Sequence, residues 1–165
     1  MKYLTQIRKL TTNEIPLIRR LALEIWPKSF EKILTPGQIG YMIEMMYSEK
    51  ALRDDHQRGV EFYVMTYAGQ DCGYAAIEKL DDRTYKLHKI YLLQKLQGKG
   101  LGKCLLEEME NVVRNYGASG LKLNVNRENK AVDFYKSQGY KCIQLEDIDI
   151  GNGFFMNDYV MAKDL

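Results

Sequence analysis

The 165-residue chain contains no uninterrupted apolar stretch approaching 18 residues, so it offers no transmembrane helix. Its opening, Met1-Lys2-Tyr3-Leu4-Thr5, lacks the apolar core of a secretory signal, and a cytoplasmic location is the expectation. Cysteine is scarce and odd in number: Cys72, Cys104 and Cys142 fall in expected strands or helices, which favours reduced, buried thiols over a disulfide framework. Charge of either sign is not in excess. With 24 Lys and Arg against 22 Asp and Glu the net charge is +2, too small a field to gather nucleic acid or to point to a membrane partner. Repeats, low-complexity tracts and long linkers are also missing, so residues 1–165 read as one domain. A chain of this length hides about 70% of its unfolded surface, enough for a substantial core. No metal site is expected.

What the chain does have is a glycine-rich turn, Gln97-Gly98-Lys99-Gly100-Leu101-Gly102-Lys103, between an apolar run (Leu87 to Leu93) and an amphipathic one (Leu101 to Tyr116). Alternating glycines let the backbone pass through positive φ and approach a ligand closely. The N–H groups of the following helix's first turn then point at an anion, with phosphate or pyrophosphate the natural guest. Two familiar phosphate loops fail by position. A Walker A loop needs glycine at Gln97 and Ser or Thr at Cys104, and a dinucleotide fingerprint begun at Gly98 needs glycine at Lys103.

The remaining pattern, Gln97-x-x-Gly100-x-Gly102 between strand and helix, resembles the pyrophosphate loop of the GCN5-related N-acetyltransferases (GNAT), which bind acetyl-CoA. A second segment points the same way. Leu121-Lys122-Leu123-Asn124-Val125 alternates like a strand, and Asn129-x-Ala131-x-x-Phe134-Tyr135-x-x-x-Gly139-Tyr140 comes next as a short glycine-stopped helix. The resemblance spans residues 84–145. It implies that Asn129 contacts the pantetheine arm and that Tyr135 lies near the sulfur as general acid. It implies that backbone groups of Ile90, Tyr91 and Leu92 pair with pantetheine as with a strand, Leu92 N–H or its neighbours meeting the oxyanion. It also implies an α/β (α+β) fold of the acyl-CoA acyltransferase type: a central, mostly antiparallel sheet with a splayed parallel pair, flanked by helices.

Periodicity fills in the elements. A strand is expected at Tyr3–Leu10, then a helix capped at Thr11–Glu14 that carries Ile15, Ile18, Leu21, Ala22 and Ile25 and ends by Trp26-Pro27. Thr35-Pro36 opens a second helix with the stripe Ile39, Met42, Ile43, Met46 and Tyr47, which suits either the core or a pocket wall. Strands Val60–Tyr67 and Gly73–Leu80 form a hairpin leading to Tyr85–Leu93. The helix from Leu101 stops at Gly117, strand Gly120–Val125 runs parallel to Tyr85–Leu93, and residues 149–161 form a glycine-turned hairpin.

The resemblance further implies that an acyl thioester held between the parallel strands is attacked directly by a neutral amine, without a covalent enzyme intermediate. Two base candidates stand open: His88, one of two histidines, and Glu78, acting through water. Strand alternation puts His88 on one face with Ile90 and Leu92, and Lys89 and Tyr91 on the other. The acceptor is a small amine. Tyr41, Tyr47, Glu44, Glu61, Glu78, Glu146, Asp147, Asp149 and Asp158 are candidates to hold a cation, and the tail resembles the bacterial spermidine/spermine (polyamine) acetylating subgroup. Protein N-termini and antibiotic amines are alternative acceptors. A catalytically silent acetyl-CoA sensor is the rival of another class, disfavoured by Tyr135. A homodimer is a possible assembly.

Overall fold

The computed structural model describes residues 4–165, so Tyr3 of the first expected strand lies outside the described residues. Strand β1 (Thr5–Lys9) leads into a 3₁₀ turn (Thr12–Glu14) in which the Glu14 carboxylate accepts the Thr11 backbone N–H at 3.2 Å. Helix α1 (Pro16–Phe30) then buries Ile18, Leu21, Ala22, Ile25, Trp26 and Phe30. The helix passes through Pro27 instead of ending there. Proline leaves the Leu23 carbonyl without its helical donor, but Leu23 lies on the exposed side, within reach of water. One further turn carries Phe30 into the core, 4.4 Å between ring centroids from Trp26.

Helix α2 (Pro36–Tyr47) begins at Thr35, whose hydroxyl accepts Gln38 N–H at 3.2 Å. Its Ile39, Met42, Ile43 and Tyr47 are buried, so the Met-aromatic stripe belongs to the core. Helix α3 (Glu49–Arg58) starts at once, capped by Ser48 and stopped by Gly59 at φ 112°. Strands β2 (Glu61–Tyr67) and β3 (Gln70–Lys79) meet at a two-residue turn, Ala68-Gly69, with both residues at positive φ, the geometry that suits a twisted hairpin. Then come β4 (Thr84–Leu92), α4 (Leu101–Asn115), β5 (Gly120–Asn126), α5 (Ala131–Ser137), β6 (Lys141–Gly151) and β7 (Phe154–Asp164).

The strands form one seven-stranded sheet in the order β1-β2-β3-β4-β5-β7-β6. Only β4 and β5 run parallel among the described residues; the other neighbours are antiparallel, as the mixed α/β expectation required. Helices α1 to α3 cover one face, where Tyr74 of β3 donates to the Tyr47 hydroxyl at 2.7 Å and Trp26 Nε1 donates to it at 3.0 Å. The opposite face receives α4, whose C-terminal neighbour Tyr116 stacks on Tyr85 of β4 at 5.7 Å. There Glu110 of α4, a buried carboxylate, accepts the Tyr140 hydroxyl at 2.7 Å and Lys163 Nζ at 3.1 Å, which joins α4 to the end of β7 and to the chain leaving α5. Cys72 is buried, Cys104 half-buried and Cys142 exposed; none is paired, and the expectation of buried thiols holds only for the first.

Candidate active site

The parallel pairing of β4 with β5 covers only Thr84↔Gly120 through Leu87↔Leu123. Beyond that point β4 continues to Leu92 on the arm of β3, and β5 to Asn126 on the arm of β7, so the two part company. A β-bulge supplies the cause. The β3–β4 register passes from Ile77↔Leu87 to Ala76↔Lys89, leaving His88 as an extra residue that bends the strand at the vertex. Gly73 keeps the far end of β4 on β3: a Cβ there would lie 2.8 Å from the Tyr91 carbonyl oxygen. The gap thus turns the main chain of Ile90, Tyr91 and Leu92 toward an absent strand.

The glycine-rich turn stands beyond the open end of β4. Gln97 is extended, Gly98 and Gly100 take φ of 83° and 78°, and α4 starts at Leu101. The first helical bond runs from Cys104 N to the Gly100 carbonyl at 3.1 Å, so the N–H groups of Leu101, Gly102 and Lys103 have no acceptor within the helix, and no side chain caps it. A Cβ built at Gly98, Gly100 or Gly102 would meet nothing within 4 Å. These glycines therefore leave a bare backbone seat, flanked by the exposed Lys99 and Lys103, shaped for an anion.

Across the gap, α5 brings Tyr135 in from the opposite face. Its ring is buried edge-on against Tyr140 at 5.8 Å, and burial raises its phenol above the ordinary range, so it is a protonated donor at neutral pH. No group among the described residues hydrogen-bonds its hydroxyl. Just before α5, Asn129 Oδ1 accepts Ala131 N–H at 2.9 Å, and its amide NH2 makes no bond among the described residues. The Tyr91 phenol is held well above its usual range, by burial first and then by Tyr47, Tyr135 and Asp158.

His88 and Glu78, separate candidates in the sequence, are partners: His88 Nε2 lies 2.7 Å from Glu78 Oε1. The bulge also overturns the expected parity. Lys89 and Tyr91 face α1 to α3, with Lys89 Nζ 4.9 Å over the Tyr47 ring, and the His88 ring reaches Glu78 on that same face. It does not share a face with Ile90 and Leu92. Burial, against the pull of Glu78, lowers the His88 pKa, while Arg58 and then His88 lower that of Glu78. An ionised Glu78 accepts only, so Nε2 carries the proton and Nδ1 keeps a lone pair.

The remaining carboxylates sort by contact. Glu44 pairs with Arg19, Glu61 with Tyr116 and Lys9, and Asp147 with Arg127, while Asp149 accepts Gly151 N–H at the hairpin turn. Glu146 and Asp158 instead converge on Asn124 of β5. They sit opposite each other on β6 and β7, joined by Asn124 Nδ2 at 3.1 and 3.2 Å, and burial raises the Asp158 pKa. The β6–β7 tip returns to α2, where Tyr41 donates to the Ile150 carbonyl at 2.6 Å and Gln38 Nε2 to that of Phe155 at 2.7 Å. Sequence reasoning missed α3 and with it Arg58, which donates to Glu78 at 2.8 Å; Ser48 and Gly59 were the available signals. It also gave no role to the buried Lys89.

A family model described as an acetyltransferase (GNAT) domain matches residues 34–163. An uncharacterized N-acetyltransferase of Mycobacterium tuberculosis is 34% identical over 149 residues, covering 88% of this chain and 94% of that one. Spermidine N(1)-acetyltransferase of Thermoplasma acidophilum is 26% identical over 157 residues, covering 92% and 94%. Among solved structures, the PaiA N-acetyltransferase of Thermoplasma acidophilum in complex with coenzyme A aligns with a TM-score of 0.80 at 23% identity, over 98% of this chain and 99% of that one.

Proposed function

Because this chain belongs to the GCN5-related N-acetyltransferase (GNAT) family, we propose that it transfers the acetyl group of acetyl-CoA to an amine by direct attack within a ternary complex. The observation that carries this reading is the gap between β4 and β5 past Leu87↔Leu123, with the glycine-lined helix start beyond its mouth. Pyrophosphate sits on the backbone of Gln97 to Lys103, and pantetheine pairs with Ile90, Tyr91 and Leu92 and meets Asn129. Backbone N–H near Leu92 stabilises the oxyanion. His88 Nδ1, its ring oriented by Glu78, accepts the amine proton, and Tyr135 protonates the departing thiolate. CoA-bound and acetyl-CoA-bound neighbours of the same fold support the cosubstrate.

A polyamine is the acceptor we favour. The spermidine-acetylating relative supports it, as do Glu146 and Asp158, two carboxylates that converge on Asn124 of β5, the strand that borders the gap. Incubation with acetyl-CoA and a panel of amines, with thiol release as the readout, tests the whole reading. Release with spermidine is the expected result. Release only with peptide N-termini or aminoglycosides replaces the acceptor, and CoA binding without release from any amine replaces the enzyme with a sensor.

The single-domain reading of residues 1–165 is supported by the one sheet that runs through the described residues. Unpaired thiols support a cytoplasmic setting, and exposed Ile143, Leu145 and Phe155 on the β6–β7 hairpin support a homodimer, which sedimentation would detect.

A further inference from the structure

We propose that Arg58, the last residue of α3, is a positioning residue for amine deprotonation: it locks the Glu78 carboxylate, and through it the ring of His88. The inference rests on the reading of His88 as base. Arg58 Nε donates to Glu78 Oε2 at 2.8 Å, and Nη1 to Asp55 Oδ1 at 2.9 Å, so the guanidinium is anchored within its own helix while it grips the sheet. Glu78 Oε1, the oxygen that meets His88, lies 3.5 Å from Arg58 Nη2. The carboxylate therefore has both oxygens directed, one by each partner. Gly59 ends α3 at φ 112° immediately after Arg58, which fixes where the side chain leaves the helix.

These contacts bear directly on proton transfer. Taking a proton from the amine turns His88 into an imidazolium, whose charge Glu78 stabilises at 2.7 Å. A carboxylate free to rotate would satisfy itself with water and let the imidazole turn. A planar guanidinium holds it by direction as well as by charge, which an ammonium cannot do. The charged groups facing His88 are Glu78 from β3 and Lys86 and Lys89 from β4, with Arg58 and Asp55 of α3 behind Glu78. Burial first, and then Lys86 and Lys89, hold the ring neutral against the pull of Glu78, while the charge of Arg58 is spent on the carboxylate.

The test uses the intact protein and only two histidine signals, since His56 and His88 are the only histidines in the chain. Imidazole resonances are tracked by NMR against pH in the parent and in Arg58→Met and Arg58→Lys, alongside kcat and KM. Variants at each histidine assign the signals. In Arg58→Met the His88 titration moves to higher pH, kcat falls by roughly tenfold, and the KM for acetyl-CoA is unchanged. Arg58→Lys returns the charge without the fork: the titration moves back toward that of the parent while kcat stays low. That split is not expected of a residue that only supports the fold, and Arg58→Lys carries the test alone should Arg58→Met not fold. An unmoved His88 titration in Arg58→Met, or in Arg58→Lys a kcat equal to the parent's, overturns the positioning role. A moved titration with kcat intact in Arg58→Met and in His88→Gln overturns instead the reading of His88 as base.

Discussion

Leu87 of β4 and Leu123 of β5 form the last parallel pair before the strands separate, and both are buried. Past that pair, the course of β4 depends on Gly73, the residue of β3 that lies against Tyr91 and Leu92. Gly73→Ala sets a methyl 2.8 Å from a backbone oxygen, so β4 must shift. The expected cost is about 1–3 kcal/mol of stability, as for an overpacked core, together with weaker CoA binding. Thermal denaturation and calorimetric titration check both; an unchanged CoA affinity would dissociate the gap from the cofactor.

Gly102→Ala separates fold from ligand. The position is helical and open, so alanine should stabilise the helix by up to about 1 kcal/mol. Its methyl tilts back toward the helix start, as every helical Cβ does, and CoA affinity should fall. A variant that melts higher and binds CoA as well as the parent would remove the loop from the cofactor site.

Tyr135→Phe deletes a hydroxyl that bonds nothing else among the described residues. Melting temperature and CoA affinity should hold, with turnover down by roughly 10²-fold. Intact turnover with a lowered melting temperature would assign Tyr135 to packing alone.

His88 carries a pH signature of definite sign. Its folded pKa lies below the ordinary 6.5 because burial disfavours the charged ring. As pH falls the unfolded chain therefore binds this proton first, so the group's contribution is fully present above pH 6.5 and is lost as pH falls through the folded value. If the ring is the base, the acid limb of kcat/KM lies below pH 6.5 as well. His88→Gln should abolish that limb and lower kcat; a pH profile identical to the parent's would retire the assignment.

Acceptor charge is read through Glu146 and Asp158. Replacing them together by Gln and Asn should raise the KM for spermidine severalfold and leave that for acetyl-CoA unchanged. The parent's spermidine KM should rise with salt, as expected for charges screened over about 8 Å at physiological ionic strength. Asp149→Asn, which alters only the hairpin turn, serves as control. Constants that stay put in the double variant would return both carboxylates to a purely structural role.

Much of the architecture is legible directly in the residues. Glycines at positive φ mark the loop and the ends of α4 and α5, and alternation marks β5, because each signal is local. The base site is harder to read. Its two residues stand out singly, but their partnership depends on a bulge, and one extra residue in a strand has no compositional mark. Helix α3 buries a single residue, Leu52, too little to make a periodic stripe, so nothing in the pattern singles out its Arg58. Pro27 misleads for the opposite reason: a local rule for stopping helices yields where burial of Phe30 outweighs one lost hydrogen bond.

The two contacts from α2 to the β6–β7 tip, Tyr41 to Ile150 and Gln38 to Phe155, change the topology of the gap itself. Without them the space between β4 and β5 would be a notch cut into a sheet margin. With them the route from β5 through β7 and β6 returns to α2, and so to the helices over β4, closing a loop of chain around the opening. The hairpin's tip is thereby tethered at a second point besides its pairing with β5, and swinging it away from the helices would break both bonds.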